Sequence, residues 1–147
     1  MNVRLVHRPF RDDDLPVVEA WFDDRETHRW LGDRKWPRQL LDLAREPGRF
    51  AILFMLRDRP VALLDLERDS EGTATFAVVV SPSHRRQGLA STVIASVLEL
   101  PQANGVREFM AEIEHSNTAA NRLICSLQFE AISGADQGFE RYVLRRT

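Results

Sequence analysis

Residues 78–91 read VVVSPSHRRQGLAS, and this stretch decides the fold. Val78, Val79 and Val80 end a β-rich segment that starts at Thr73 and is closed by Ser81-Pro82. A basic loop with one glycine follows, His84-Arg85-Arg86-Gln87-Gly88, and Leu89-Ala90-Ser91 open a helix. In that helix Leu89, Val93 and Val97 lie four apart with Ile94 and Leu98 beside them, until Pro101 ends the pattern. A helix start carries unpaired backbone N–H groups and the positive end of the helix dipole. Turned toward a ligand, those groups form a cradle for an anion such as pyrophosphate. Gly88 lets the backbone approach without a Cβ in the way, Ala90 keeps the first turn slim, and Arg85 or Arg86 would add charge-assisted bonds. The same string also fits a tight strand-to-helix turn with solvated arginines. The loop holds neither G-x-G-x-x-G nor G-K-[ST], so the usual dinucleotide and P-loop readings lack their residues.

Upstream, residues 3–8 read as a short strand stopped by Pro9. Asp12-Asp13-Asp14 ahead of Leu15-Pro16 signal a helix start, and Leu15, Val18 and Phe22 mark its buried stripe. A less regular helical piece covers His28–Leu31 up to Gly32, and another runs from Pro37 to just before Pro47-Gly48. Phe50–Leu56 is a continuous apolar run, the pattern of a strand buried on both faces. Val61–Glu67 alternates, with Ala62, Leu64 and Leu66 on one face and Asp65 and Glu67 on the other. With Thr73–Val80 these segments predict an antiparallel meander. Downstream, Val106–Glu114 reads as a strand, Asn117–Leu127 as a helix, and Phe129–Ile132 and Phe139–Leu144 as two closing strands. The resulting order, β-α-α-β-β-β-α-β-α-β-β, describes one mixed α/β domain over residues 1–147, with no repeat or linker.

Composition narrows the function classes. The chain has 147 residues, 44% of them hydrophobic, which is enough for one domain with a real core. A formal net charge of −2 gives no global pull toward nucleic acid or an anionic membrane. The chain has no run of roughly 18 apolar residues and no signal-peptide pattern at its start. Cys125 is the single cysteine, so an internal disulfide is excluded and a cytoplasmic location is the expectation. His7, His28, His84 and His115 lack metal-ligand spacing, so no metal is expected.

The 78–91 stretch resembles the coenzyme A motif of the GNAT superfamily of acetyltransferases, V-x-P-x-x-R-x-x-G-x-[GA], filled by Val80, Pro82, Arg85, Gly88 and Ala90. One strand later AEIEHSNTAANRLICSLQFE (residues 111–130) is similar to the second motif, L-E-V-x-x-x-N-x-x-A-x-x-L-Y-x-x-x-G-F. Glu112, Asn117, Ala120, Leu123 and Phe129 stand in register with it. The front segment WFDDRETHRWLG (residues 21–32) looks like the first-helix region of aminoglycoside 6′-N-acetyltransferases and protein N-terminal acetyltransferases. The resemblance implies a mixed, mostly antiparallel sheet of about seven strands flanked by helices. It also implies a role as an acetyl-CoA-dependent N-acetyltransferase, whose acceptor is a small-molecule amine or a protein N-terminus; a homodimer is compatible with it.

By the same resemblance Val78 and Val80 would bond the pantetheine arm through their backbone, and an N–H there would face the thioester carbonyl. Arg85, Arg86, Gln87, Gly88, Leu89, Ala90 and Ser91 would hold the pyrophosphate, and Asn117 would touch the cofactor or serve as a helix cap. Glu112 matches a strand glutamate that is the general base in some members and a structural acceptor in others. Asp65 and Glu67 form a second candidate pair, acting through water, unless they are solvated surface groups. Trp21, Trp30 and Trp36 fall where the family builds its acceptor pocket, although core packing accounts for most such tryptophans.

Two positions depart from the motif. The tyrosine that many relatives use as general acid falls at Ile124, and the motif glycine falls at Gln128. Tyr142, the only tyrosine, lies on the last strand, and Cys125 on its apolar helix reads as a core residue. Ile124 motivates an alternative, a non-catalytic acyl-CoA-binding sensor or interaction domain. A nucleotide-binding α/β domain carrying these strings by chance is a third reading.

Overall fold

The computed structural model describes residues 4–132 and 138–146. In chain order it has β1 (Val6–Pro9), α1 (Leu15–Trp21), α2 (Arg25–Leu31), α3 (Trp36–Leu43), β2 (Arg49–Leu56), β3 (Arg59–Arg68) and β4 (Thr73–Val80). Then come α4 (Leu89–Val97), β5 (Glu108–Glu114), α5 (Thr118–Ser126), β6 (Glu130–Ile132) and β7 (Phe139–Arg145). Three separate helices stand between β1 and β2 where the condensed order from sequence had two, because Gly32 (φ 118) and the turn after it divide α2 from α3. The start of the first expected strand falls partly outside the described residues.

All seven strands join one sheet in the order β1-β2-β3-β4-β5-β7-β6. Every pair is antiparallel except β4–β5, which the α4 crossover forces to be parallel. The β2–β3 hairpin turns on Arg57 and Asp58, both at positive φ (50 and 66), the backbone that a two-residue type I′ turn requires.

The alternation of side chains gives the sheet two apolar faces. One packs Leu53, Leu63 and Val79 under Leu15, Val18, Trp21 and Phe22 of the α1 region and Leu40 of α3. The other packs Leu64, Leu66, Phe76 and Phe109 under Val93, Ile94 and Val97 of α4 and Ile124 of α5. Phe50–Leu56 is thus covered on both faces, as its unbroken apolar run predicts.

The motif glycine missing from the sequence is explained at the end of α5. Gln128 has φ 72, and its N–H bonds the Cys125 carbonyl at 3.1 Å in a left-handed helix stop. That stop favours glycine, because a Cβ strains the backbone there by about 1–2 kcal/mol. Gln128→Gly should therefore raise stability by about 0.5–1 kcal/mol after the added freedom of the unfolded chain is counted. In thermal unfolding this is a gain of about 2–4 °C at most; a fall would mean that the exposed Gln128 side chain makes contacts that matter more than the strain.

Candidate active site

The parallel pair β4–β5 is hydrogen-bonded in register only at Thr73–Thr75 against Glu108–Met110. Beyond that the strands diverge, β4 staying paired with β3 as far as Val80 and β5 with β7 as far as Glu114. Between them lies a cleft of about 360 Å³. Residues of both parities line it: Val78 and Val80 with Ala111 and Ile113 on the α4/α5 face, and Ala77 and Val79 with Glu112 and Glu114 on the other. The cleft therefore reaches both faces of the sheet between the two strands.

On the α4/α5 side the walls are Ala90 and Ile94 of α4 and Asn117, Ala120, Leu123 and Ile124 of α5. The loop before α4 ends in Gly88 at φ 76, and Arg86 before it is exposed at φ 62. A Cβ built on Gly88 would meet no protein atom within 4 Å. Protein packing therefore leaves the space in front of the α4 N-terminus open, as an anion cradle requires. Leu89 is buried and anchors the helix, while Gln87 is exposed and Ser91 half-buried at the cradle. Asn117 caps α5, its Oδ1 accepting the Ala120 N–H at 3.3 Å. It also lines the cleft, so both roles proposed for it from sequence are geometrically open.

On the opposite side Glu26, Thr27, Trp30 and Leu31 of α2 face Glu112, Glu114 and Phe139. Of the three tryptophans only Trp30 lines this cleft; Trp21 is buried in the core and Trp36 stacks against Phe22 at 5.4 Å. Glu112 forms a cross-strand pair with Arg141, whose Nε and Nη2 both donate to Oε1 (3.1 and 2.6 Å). This pairing occupies one carboxylate oxygen.

The remaining candidates lie elsewhere. Asp65 and Glu67 share the sheet face with Leu63, but they do not line the cleft; Arg49 bridges them at 3.5 and 3.1 Å. Burial pushes the Asp65 carboxyl above the usual carboxylate range, partly offset by Arg49. Tyr142 is buried, and its hydroxyl donates to Asn121 Oδ1. Burial also raises its pKa. Cys125, expected in the core, is exposed. The inward stripe of α5 runs through Ala120, Leu123, Ile124 and Leu127, and Cys125 falls off it.

The guanidinium of Arg85 is turned to α2. Its Nη2 donates to Asp24 Oδ2 (2.7 Å) and Thr27 Oγ1 (2.5 Å), and its Nη1 pairs with Glu26 (3.0 Å). This bond holds the Asp24 carboxyl below its usual pKa, helped by the Thr27 N–H. The sequence reading missed Arg141, Glu114, Phe139 and the Arg85 network. The parity of β5 put Glu114 beside Glu112, but no local pattern marks the others.

Among the described residues no group of three or more His, Cys, Asp and Glu side chains is placed to hold a metal, and no helix is long and apolar enough to cross a membrane.

Comparison with known proteins agrees with this geometry. No curated protein sequence matches the chain. An acetyltransferase from Thermus thermophilus superposes with a TM-score of 0.84 at 22% identity, covering 99% of this chain and 100% of its own. Aminoglycoside acetyltransferase AAC(6')-Ib in complex with coenzyme A gives 0.81 at 17% identity, over 97% and 95% of the two chains. A spermidine N-acetyltransferase chimera from Vibrio cholerae and hSSAT gives 0.79 at 15%, over 96% and 95%. These structures share the fold. Residues 15–127 match the model described as the acetyltransferase (GNAT) family, which is most of the chain and includes the cradle and all of the cleft lining except Phe139. On that match, the chain belongs to the GNAT acetyltransferase family, whose cosubstrate is acetyl-coenzyme A.

Proposed function

We propose that the protein transfers the acetyl group of acetyl-coenzyme A to a primary amine that enters the cleft from the α2 face. The observation that carries this reading is the gap between β4 and β5, open to both faces of the sheet and flanked by the open α4 N-terminus. Two reactants approaching from opposite faces meet there without competing for space.

The backbone from Arg86 to Ser91 holds the pyrophosphate, with the exposed Arg86 side chain adding charge, while Asn117 flanks the arm from the start of α5. Val78 and Val80 offer backbone groups on the β5 side of β4, where no strand is paired. Bound there, the cosubstrate supplies the reactive thioester. An alkylamine, with a lysine-like pKa near 10, arrives mostly protonated at neutral pH and must lose a proton before it attacks. Glu112 faces the acceptor half, and Oε2, the oxygen that Arg141 does not engage, takes that proton directly or through water. Glu114 with Trp30 and Phe139 gives the acceptor half a carboxylate and aromatic faces, which suits a cationic amine. Glu26 beside them is paired with Arg85, which also lines the cleft. Ile124, buried in the cleft wall, has no proton to give, so the sulfur leaves as thiolate or takes its proton from water. A cysteine-like thiol titrates near 8.5, acidic enough for this.

The same Ile124 supports the second reading, an acyl-CoA-binding domain without turnover. Thiol release from acetyl-coenzyme A with spermidine, kanamycin, free lysine and a short peptide with a free N-terminus separates the two. Turnover with any of them supports the enzyme, and a blank panel with intact coenzyme A binding supports the binding domain.

Three variants test the assignments. Gly88→Glu puts a carboxylate at the cradle, where a Cβ meets no protein atom. Calorimetry should show coenzyme A binding abolished in a protein that still folds despite about 1–2 kcal/mol of strain at this left-handed position. Unchanged affinity would remove the pyrophosphate site from this loop. Glu112→Gln keeps the pair's shape and should lower turnover about 10²–10⁴-fold, with coenzyme A affinity nearly unchanged. A lower melting temperature with a small rate loss would instead mark Glu112 as the structural partner of Arg141. Tyr142→Phe removes a buried hydroxyl bond and should cost about 1 kcal/mol of stability with turnover within about tenfold. A larger loss, together with disappearance of an alkaline fall in the kcat profile, would make Tyr142 the proton donor.

A further inference from the structure

Arg85 occupies the motif position where the family resemblance places a pyrophosphate contact, yet its guanidinium is bonded to a different element. α2 has seven residues, and only Thr27 among them is fully buried. A helix of two turns is not stable alone, and most short helices are held by packing of an apolar face. α2 contributes to such packing through the half-buried Leu31, at the end away from its first turn. Its first turn is instead held by polar groups: Asp24 caps the Glu26 and Thr27 N–H groups, each at 3.1 Å, and Arg85 then grips Asp24, Glu26 and Thr27 together. Arg85 is half-buried, with 29% of its side chain exposed, and the contact joins residues 61 positions apart. What it holds is the helix that presents Glu26, Thr27, Trp30 and Leu31 to the cleft opposite Glu112.

We infer that Arg85 is a positioning residue for the acceptor wall, fixing α2 to the loop that leads into α4, and that phosphate contact falls to the backbone and to Arg86. The inference rests on the proposed reading only in taking the α2 side as the acceptor half. Asp24, Glu26 and Thr27 engage both Nη atoms of Arg85, and the two carboxylates carry more charge than one guanidinium neutralises. The side chain therefore stays on α2 whether or not the cradle is filled, and the loop keeps the acceptor wall in one place.

The experiment compares wild type, Arg85→Met, Arg85→Lys, Asp24→Asn and Arg86→Met. Hydrogen exchange over residues 25–32 reads α2 directly, and calorimetric titration uses coenzyme A itself. Arg85→Met should speed α2 exchange by at least about tenfold while exchange in β3 is unchanged, since local opening follows the local tie. Its coenzyme A affinity should change less than about threefold. Asp24→Asn keeps a good cap but loses the charge, so it should reproduce the faster exchange. Arg85→Lys should restore part of the protection, because an ammonium makes some of these contacts but not the fork. Arg86→Met should do the reverse, weakening coenzyme A binding with α2 exchange unchanged. With the amine that wild type acetylates fastest in the panel, Arg85→Met should raise the acceptor KM by a larger factor than it lowers kcat. Unchanged α2 exchange in Arg85→Met overturns the inference, whatever happens to the affinity. A coenzyme A affinity lost more than tenfold in that variant overturns it too, because Arg85 is then a phosphate ligand. A wild-type protein that fails to bind coenzyme A sinks the acetyltransferase reading instead and leaves the exchange result standing.

Discussion

The site depends on the failure of two neighbouring strands to stay together. A parallel pair needs a crossover, and here α4 provides it; the pairing then lasts three residues on each strand before β4 and β5 part. Each strand is held on its far side by a long antiparallel partner, β3 or β7, so the divergence does not unravel the sheet. A gap flanked by two rigid half-sheets keeps its width without a dedicated wall.

That geometry explains how the side chains divide. On a strand, parity alone decides which face a residue serves. Ala111 and Ile113 therefore join the apolar side under α4 and α5, while Glu112 and Glu114 face α2. One strand thus offers an apolar wall to one half of the cleft and carboxylates to the other. Arg141 restrains Glu112 from the next strand, so the carboxylate nearest the gap is oriented without being buried.

Much of this was legible from sequence, and the unread part has one physical character. Thr73–Val80 was bounded correctly because turn residues and β-branched side chains mark a strand locally. Gly88 was legible as the residue without a Cβ at the helix start, and its left-handed backbone (φ 76) came only from the structure. The Arg85 contact to Asp24 spans 61 positions and that of Arg141 to Glu112 spans 29, and nothing short-range reports either. The Asp65–Glu67 pair shows the same limit: alternation placed both on one face, but only the fold shows Arg49 beside them and the cleft elsewhere. Cys125 was misread because the helix was judged by its overall composition, and its stripe passes one residue away.

The parted strands also tie folding to occupancy. Past the last bridged pair, Thr75 with Met110, the Val78 and Val80 backbone groups on the side away from β3 have no strand to bond, and in the free protein water must serve them. On the proposed reading, a ligand arm lying along β4 would complete the sheet as an eighth strand does, releasing that water and supplying the missing partners. The native state is then stabilised by the logarithm of ligand concentration over its dissociation constant. In a cell rich in that ligand, the protein's resistance to unfolding and to proteolysis becomes a readout of the ligand's supply.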